Sequence, residues 1–264
     1  MTIKKALLFP SPKGNVSDNE ILNIKTKLLE FGIESTIYSE NQDDFDAIIA
    51  LGGDGTMLKA SGIALQRNVP IISINFGTLG YMSGLEIGEL DMLSKLKDGC
   101  NTESRMLIDI TVLRNGEEIA STTALNEAVI MRNVDGGIAL IGLKCDGATV
   151  CDYRADGVII ATPTGSSAYA MSAGGPIIDT KLDAFCVCPI CPHTLGAKAM
   201  VFSPNSLLEA TNKNGFGKNL ICDGNAVCEL IEGDVIRVTK SQKTLSIIKL
   251  KKDAFYETLY NKMS

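Results

Sequence analysis

The chain has 264 residues, 45% of them apolar and 21% charged, with a net charge of −6. That length suits one large or two modest domains and is enough to bury roughly three quarters of the unfolded surface on folding. The negative balance argues against general binding to nucleic acid or to an anionic membrane, since both need a basic field.

No apolar stretch is long enough to span a bilayer, and Met1-Thr2-Ile3-Lys4-Lys5 runs into a strand without a signal-peptide cleavage site. Both features point to a cytoplasmic protein whose eight cysteines stay reduced.

From Lys4 to about Gly99 strands and helices alternate. The pattern predicts strands at Ala6 to Phe9, Ser35 to Tyr38, Phe45 to Leu51 and Ile71 to Asn75, and helices at Asn19 to Phe31, Met57 to Arg67 and Glu89 to Leu96. That rhythm implies a parallel sheet with helices on its faces, whose ligands sit beyond the carboxyl ends of the strands. Two loops follow strands in this half, Gly52-Gly53-Asp54 and Asn75 to Tyr81, so they should face one crevice.

The first of these loops is the sharpest feature of the half. Ala47-Ile48-Ile49-Ala50-Leu51 is a short apolar run closed by Gly52 and Gly53, with helical spacing from Met57 onward. Glycines there let a ligand approach the backbone, and free amides at a helix start favour an anion. A carboxylate in such a turn is repelled by phosphate, so its presence calls for a reason. Asp54 could accept a proton, hold a metal, or simply form an Asp-Gly turn. Asp135-Gly136, Asp146-Gly147 and Asp223-Gly224 read as plain turns.

After Gly99 the helical period disappears. Ile108 to Leu113, the Asn115-Gly116 turn and Glu118 onward read as a hairpin. Short strands follow at Ile138 to Lys144, Val158 to Thr162, Ala184 to Ile190, Met200 to Ser203, Asn219 to Cys222 and Val235 to Val238, as in a β-sandwich. Asn126 and Glu127 interrupt an apolar run, and adjacent strand residues face opposite ways, so the backbone should turn there.

Ala254 to Met263 reads as a helix returning to the first domain. The predicted organisation is therefore α/β plus all-β: residues 1–100 as a parallel-sheet α/β domain, with 250–264 packing back on it, and residues 101–249 as a β-sandwich.

Two further stretches carry chemistry. Thr162-Pro163-Thr164-Gly165-Ser166-Ser167-Ala168-Tyr169, with Ser172 beyond, offers hydroxyls and amides for phosphate or sugar and an aromatic face for a base; on composition it could equally be an ordinary polar loop. Cys186, Cys188 and Cys191 fall as C-x-C-x-x-C, but no second ligand pair follows at zinc spacing and the run is apolar, so these thiols read as small core hydrophobes.

Leu51-Gly52-Gly53-Asp54-Gly55-Thr56, Asn75 to Tyr81, Leu125-Asn126-Glu127, Asp156-Gly157, Thr162 to Tyr169 and Pro189-Ile190-Cys191-Pro192-His193-Thr194-Leu195 occur in this order, and together they resemble the NAD kinase family. The likeness runs from about Ile48 to the C-terminus, where Ala254-Phe255-Tyr256-Glu257 resembles the family's closing helix.

The resemblance implies transfer of the terminal phosphoryl of ATP, or of polyphosphate, to the adenosine ribose 2′-hydroxyl of NAD, with Mg²⁺ accompanying the donor. It makes Asp54 the catalytic residue and puts Gly52, Gly53 and Gly55 against the phosphates. Lys59 would reach a phosphate or remain a solvated helix charge. Phe76, Tyr81 and Tyr169 would flank adenine, or on pattern alone would be core residues, and Asn126 and Glu127 would hold ribose hydroxyls in a cleft between the domains.

Thr164, Ser166, Ser167, Ala168, Ser172, Cys191 and Asn225 would line the same pocket. Arg154 and Asp156 would meet the nicotinamide end, or pair with each other at the surface. The family likeness also implies a homo-oligomer, dimer or tetramer, with Asp156 serving a neighbour's site, no metal ligated by the protein alone, and a structural role for His193.

Three departures stand out: Lys198 in a stretch where the family often has Arg, Asn225 where Gln is common, and Ser167 where Thr is common. The rival readings are a related kinase of the diacylglycerol, sphingosine and 6-phosphofructokinase superfamily acting on another hydroxyl, and a non-catalytic dinucleotide-binding protein.

Overall fold

Short runs of β-branched and small apolar residues form the buried strands, and Gly or Asx-Gly pairs end them. The computed structural model describes residues 1–39, 44–77, 80–133, 137–194, 196–215, 217–251 and 254–263. The Asp135-Gly136 pair, Thr78-Leu79 and Leu195 lie outside these. The chain divides into two compact units, Met1–Ser104 with Leu245–Ser264, and Arg105–Thr244.

In the first unit the strands Glu34–Ile37, Lys5–Pro10, Ala47–Leu51 and Ile71–Asn75 lie side by side in that order, all parallel. Ile247, from the long strand Val235–Lys249, pairs in parallel with Ile71. Ala47–Leu51 and Ile71–Asn75 are buried throughout, as expected of strands covered on both faces.

Ile49, Leu51, Ile72 and Ile74 pack with Ile21, Ile24 and Leu28 of helix Asp18–Glu30. Helix Asp54–Arg67 also packs on the strand before it and buries Met57, Ala60 and Ala64. Helix Asp18–Glu30 starts where Ser17 and Glu20 cap each other's backbone amides.

The helix expected over Glu89 to Leu96 is instead a 3₁₀ segment, Ile87–Ser94, followed by one short α-turn, Lys95–Asp98. The cause is local. Glu89 turns its carboxylate back to the Glu86 amide at 2.9 Å and pairs with Lys251, and its backbone leaves helical angles (φ −113°, ψ 18°). Leu90, Leu93 and Leu96 still reach the core.

The second unit is a two-sheet sandwich of antiparallel strands. One sheet runs Met200–Phe202, Phe185–Ile190, Gly157–Ala161, Glu127–Arg132, Lys218–Cys222 and Asn225–Leu230. The other includes Ala148–Ala155, Ala139–Cys145, Leu208–Asn212 and Val235 onward, with the hairpin Asn101–Arg114 and Glu117–Ala124.

Alternation decides which side chains meet. Ile130, Val158, Ile160, Phe185 and Val187 face Ile108, Ile110, Ile141, Leu143, Leu208 and Ile236 in the sandwich core. Val129, Ile159, Ala161, Cys186 and Cys188 face the opposite way, against Ala170 and Ile178. Asn115-Gly116, Asp146-Gly147 and Asp223-Gly224 all take positive φ at both residues, the two-residue hairpin geometry that Asx-Gly favours.

Helix Ala254–Met263 belongs to the first unit. It buries Phe255 and Thr258 and sets the Phe255 ring 6.4 Å from that of Tyr81.

Candidate functional site

In the first unit the polypeptide leaves strand Ala47–Leu51 through Gly52, whose amide donates to the Ile74 carbonyl at 2.9 Å. Gly53 is the N-cap, so the helix begins at Asp54 rather than at Met57, where the apolar spacing starts. A carboxylate at the first helical position is favoured by the unpaired amides there.

Asp54 is half-buried, and both its oxygens are held. Tyr81 N–H donates to Oδ2 at 2.9 Å and Met82 N–H to Oδ1 at 3.0 Å. The two loops beyond adjacent strands therefore do meet, and they meet on this carboxylate. The approach is so close that a Cβ on Gly80 would collide with it. Ser73 fixes the second loop, donating to the Met82 carbonyl at 2.9 Å and accepting from Gly84 N–H at 3.0 Å. Two amides leave lone pairs on the carboxylate for an incoming hydroxyl.

Gly55 is exposed with open space where its side chain would be, and Lys59 is exposed one turn further along the helix. Phe76 packs partly against the first unit's core. Tyr81 stacks near Phe255 and lies under Lys262 Nζ, 4.8 Å from its ring centre. Neither aromatic is a free platform: one leans on the core and the other on the C-terminal helix.

In the second unit the backbone does bend at Leu125-Asn126, before strand Glu127–Arg132. The cause is Asp223. Its carboxylate accepts the amides of Leu125 at 2.7 Å, Asn126 at 2.8 Å and Glu127 at 3.1 Å. From the other side Thr162 donates its hydroxyl to the Leu125 carbonyl at 2.6 Å and its amide to the Asn126 carbonyl at 2.8 Å. Gly165 lies against that carbonyl so closely that any Cβ would strike it.

Asn126 and Glu127 are each only 7% exposed. Asn126 Oδ1 and Glu127 Oε2 are buried and find no hydrogen-bond partner among the described residues. Leaving such atoms unpaired costs about 1–3 kcal/mol each, a cost that a donor reaching them would offset. Burial, and then the nearby Asp223 charge, push the Glu127 carboxyl up to about 7. Asp223 is also raised by burial, but its three amide bonds oppose the shift.

Tyr169 is exposed and offers a ring face. Its hydroxyl is raised by partial burial and then by Cys191, Asp156 and Glu127. These four predicted residues therefore share one neighbourhood. Ala168 is half-buried, while Ser172 is exposed on the short helix Tyr169–Ser172.

Thr164 is buried, and the hydroxyls of Ser166 and Ser167 serve the loop itself. Ser166, wholly buried, donates to the Pro163 carbonyl at 2.6 Å and accepts from Ile178 N–H at 2.9 Å; Ser167 donates to the Thr164 carbonyl at 3.2 Å.

Asp156 does not pair with Arg154. Its partner is Arg132, whose Nε lies 2.6 Å away, while the Arg154 side chain is exposed and its carbonyl accepts His193 N–H at 2.8 Å. Cys191 is exposed with φ 44°. Asn225, also exposed, donates to the Asp223 carbonyl at 3.2 Å. The Lys198 carbonyl accepts the Tyr153 hydroxyl at 3.4 Å, a backbone contact that an Arg would keep.

Cys186 and Cys188 are buried on one strand face, and burial pushes the Cys186 thiol up to about 11. Such thiols are poor ligands. Among the described residues no group of three His, Cys, Asp or Glu could hold a metal ion.

Asp223 is the residue that sequence reasoning undervalued. Asp223-Gly224 is a turn dipeptide, and the three amides its carboxylate gathers lie 96 to 98 positions earlier. No local pattern could link them.

Comparison with known proteins gives the family. The ATP-NAD kinase N-terminal domain family matches residues 14–96, and the ATP-NAD kinase C-terminal domain family matches residues 125–250. The NAD kinase of Symbiobacterium thermophilum is 38% identical over 224 residues, covering 84% of this chain and 79% of the relative. That of Thermoanaerobacter sp. strain X514 is 38% identical over 251 residues, covering 93% and 87%.

Among solved structures, an NAD kinase from Archaeoglobus fulgidus in complex with ATP superposes with a TM-score of 0.79 at 25% identity, covering 98% of both chains. Yeast NADH kinase complexed with NADH shares the fold, with a TM-score of 0.87 at 20% identity over 100% of this chain and 88% of its own. The chain therefore belongs to the NAD kinase family and is a phosphotransferase.

Proposed function

We propose that this protein transfers the terminal phosphoryl of ATP to the adenosine ribose 2′-hydroxyl of NAD, giving NADP and ADP. The carrying observation is the buried oxygens on the consecutive residues Asn126 and Glu127, which have no partner among the described residues and are fit to accept from ribose hydroxyls. Asp54 takes the proton of the 2′-hydroxyl as that oxygen attacks the phosphorus and the bond to ADP breaks. Such a base contributes on the order of 100-fold to 10,000-fold.

The open backbone at Gly53 and Gly55 gives the phosphate chain room, and Lys59 supplies a cation nearby. Magnesium enters as part of the substrate, neutralising the triphosphate. Tyr169 stacks on adenine, while Thr164, Ser166 and Ser167 shape the loop that carries it. Asp156, held by Arg132, and Arg154 with Cys191 face the nicotinamide end. By the same reading polyphosphate is an alternative donor, and the protein is a cytoplasmic homo-oligomer.

The experiment is product identification with NAD, NADH or diacylglycerol as acceptor and Mg-ATP or polyphosphate as donor. Formation of NADP with Mg-ATP is expected. Phosphorylation of the lipid alone would overturn the assignment.

A further inference from the structure

We propose that Asp223 is the positioning residue of the ribose site: by collecting the amides of Leu125, Asn126 and Glu127 on one carboxylate, it sets the bend that presents both side chains to one substrate. This rests on the function proposed above. Three consecutive residues in a regular strand would point their amides alternately to either side. Here all three converge on Asp223, at 2.7, 2.8 and 3.1 Å, and the Asp223 amide returns a bond to the Glu127 carbonyl at 3.1 Å. The bend is thus clamped from the Asp223 turn on one side and by Thr162 on the other.

A second consequence is electrostatic. Two carboxylates share this buried end of the sheet. Asp223 has three amide donors for its charge, whereas Glu127 Oε2 has no partner among the described residues. The proton therefore goes to Glu127, in line with its raised carboxyl. The other titratable groups bearing on Glu127 are Cys222, at the end of the neighbouring strand, and Tyr169. Asp223 in this way fixes both the direction and the charge of the ribose contact.

The test compares Asp223→Asn and Asp223→Ala with the wild type in the full chain. Losing hydrogen bonds to a charged acceptor should raise KM for NAD by about tenfold to 100-fold in Asp223→Ala, with KM for ATP changed less than about twofold. Asp223→Asn, which keeps one acceptor oxygen, should fall between. A role confined to folding would not split the two KM values.

In Asp223→Asn the limb of kcat/KM for NAD that reports Glu127 should move to lower pH, because a like charge has been removed. A folded Asp223→Asn variant with unchanged KM for NAD and an unmoved limb would overturn the proposal. If the wild type does not phosphorylate NAD, the functional reading fails by itself. Asp223 is then judged by amide hydrogen exchange at Leu125 to Glu127: at least about tenfold faster exchange in Asp223→Asn supports the clamp, and unchanged exchange overturns it.

Discussion

Replacing Glu127 by Gln should stabilise the protein, and the gain should depend on pH in a defined way. The wild-type carboxyl is raised to about 7 in the folded state by burial and by Asp223, against 4.5 for an unperturbed glutamate. Below pH 4.5 both folded and unfolded chains carry the proton, and Glu127 costs nothing. Between 4.5 and about 7 the unfolded chain ionises first, so stability falls as pH rises; above about 7 the loss is complete.

The gap, at about 1.4 kcal/mol for each tenfold change in proton affinity, amounts to about 3 kcal/mol. Gln cannot ionise and removes that loss. Urea denaturation of both proteins at pH 4.5 and pH 8, with NAD absent, should show the variant ahead by up to about 3 kcal/mol at pH 8 and level at pH 4.5. A stability difference that is the same at both pH values would refute the reasoning, because it would locate the effect in packing rather than in charge. The variant should also bind NAD more weakly, since one strong acceptor is lost.

Gly80→Ala places a methyl group against the Asp54 carboxylate. Steady-state kinetics should show kcat down at least about tenfold with KM for NAD little changed, since about 1 Å of misplacement at a reacting group is enough for that. Gly165→Ala drives a methyl group into the Asn126 carbonyl, which is backbone and cannot step aside. Thermal melting should report a loss of about 1–3 kcal/mol, and calorimetry a weaker affinity for NAD. Cys186→Ser buries a hydroxyl where a thiol acts as an apolar group. It should cost about 1–3 kcal/mol in the melt, while a zinc chelator leaves the wild-type melting temperature unchanged.

The parts of the fold set by local periodicity are legible in the sequence. Ala47–Leu51 is an unbroken apolar run and Ile71–Asn75 is broken only by Ser73 before its final Asn75, as expected of strands covered on both sheet faces. Asn115-Gly116 marks its hairpin because both residues tolerate positive φ.

Strands Ala148–Ala155 and Leu208–Asn212 carry no such mark. The first exposes half of its residues, and the second carries Glu209 and Thr211 between its buried residues, so neither shows a strong apolar pattern. The Glu89 to Leu96 helix fails for a different reason. Its leucines, Leu90, Leu93 and Leu96, recur every third residue, a spacing that a 3₁₀ turn satisfies as well as an α-helix does, and the backbone leaves helical angles at Glu89.

Within the site, Asp54 is visible because a carboxylate among glycines is unusual. What holds it is not visible, since Tyr81 and Met82 lie 27 and 28 residues later and act through their backbone amides. Proximity in sequence offers Arg154 as a partner for Asp156, whereas strand neighbours are set by register: Arg132 lies on the adjacent strand, and its amide bonds the Asp156 carbonyl at 3.0 Å. The hydroxyl-rich loop reads as ligand-facing on composition, yet Ser166 is turned inward to hold the Ile178 amide. Residue type indicates which bonds a side chain can make; only the folded backbone decides where it makes them.

The central claim is that Asp54, fixed by the Tyr81 and Met82 amides, takes the proton of the NAD 2′-hydroxyl. The direct measurement is the single-turnover rate of NADP formation from NAD and Mg-ATP in Asp54→Asn against wild type, with KM for NAD determined alongside. Asn keeps the size and one acceptor oxygen but is a poor base. A fall of at least about 100-fold in rate with KM for NAD within about threefold is predicted. An unchanged rate in Asp54→Asn would contradict it.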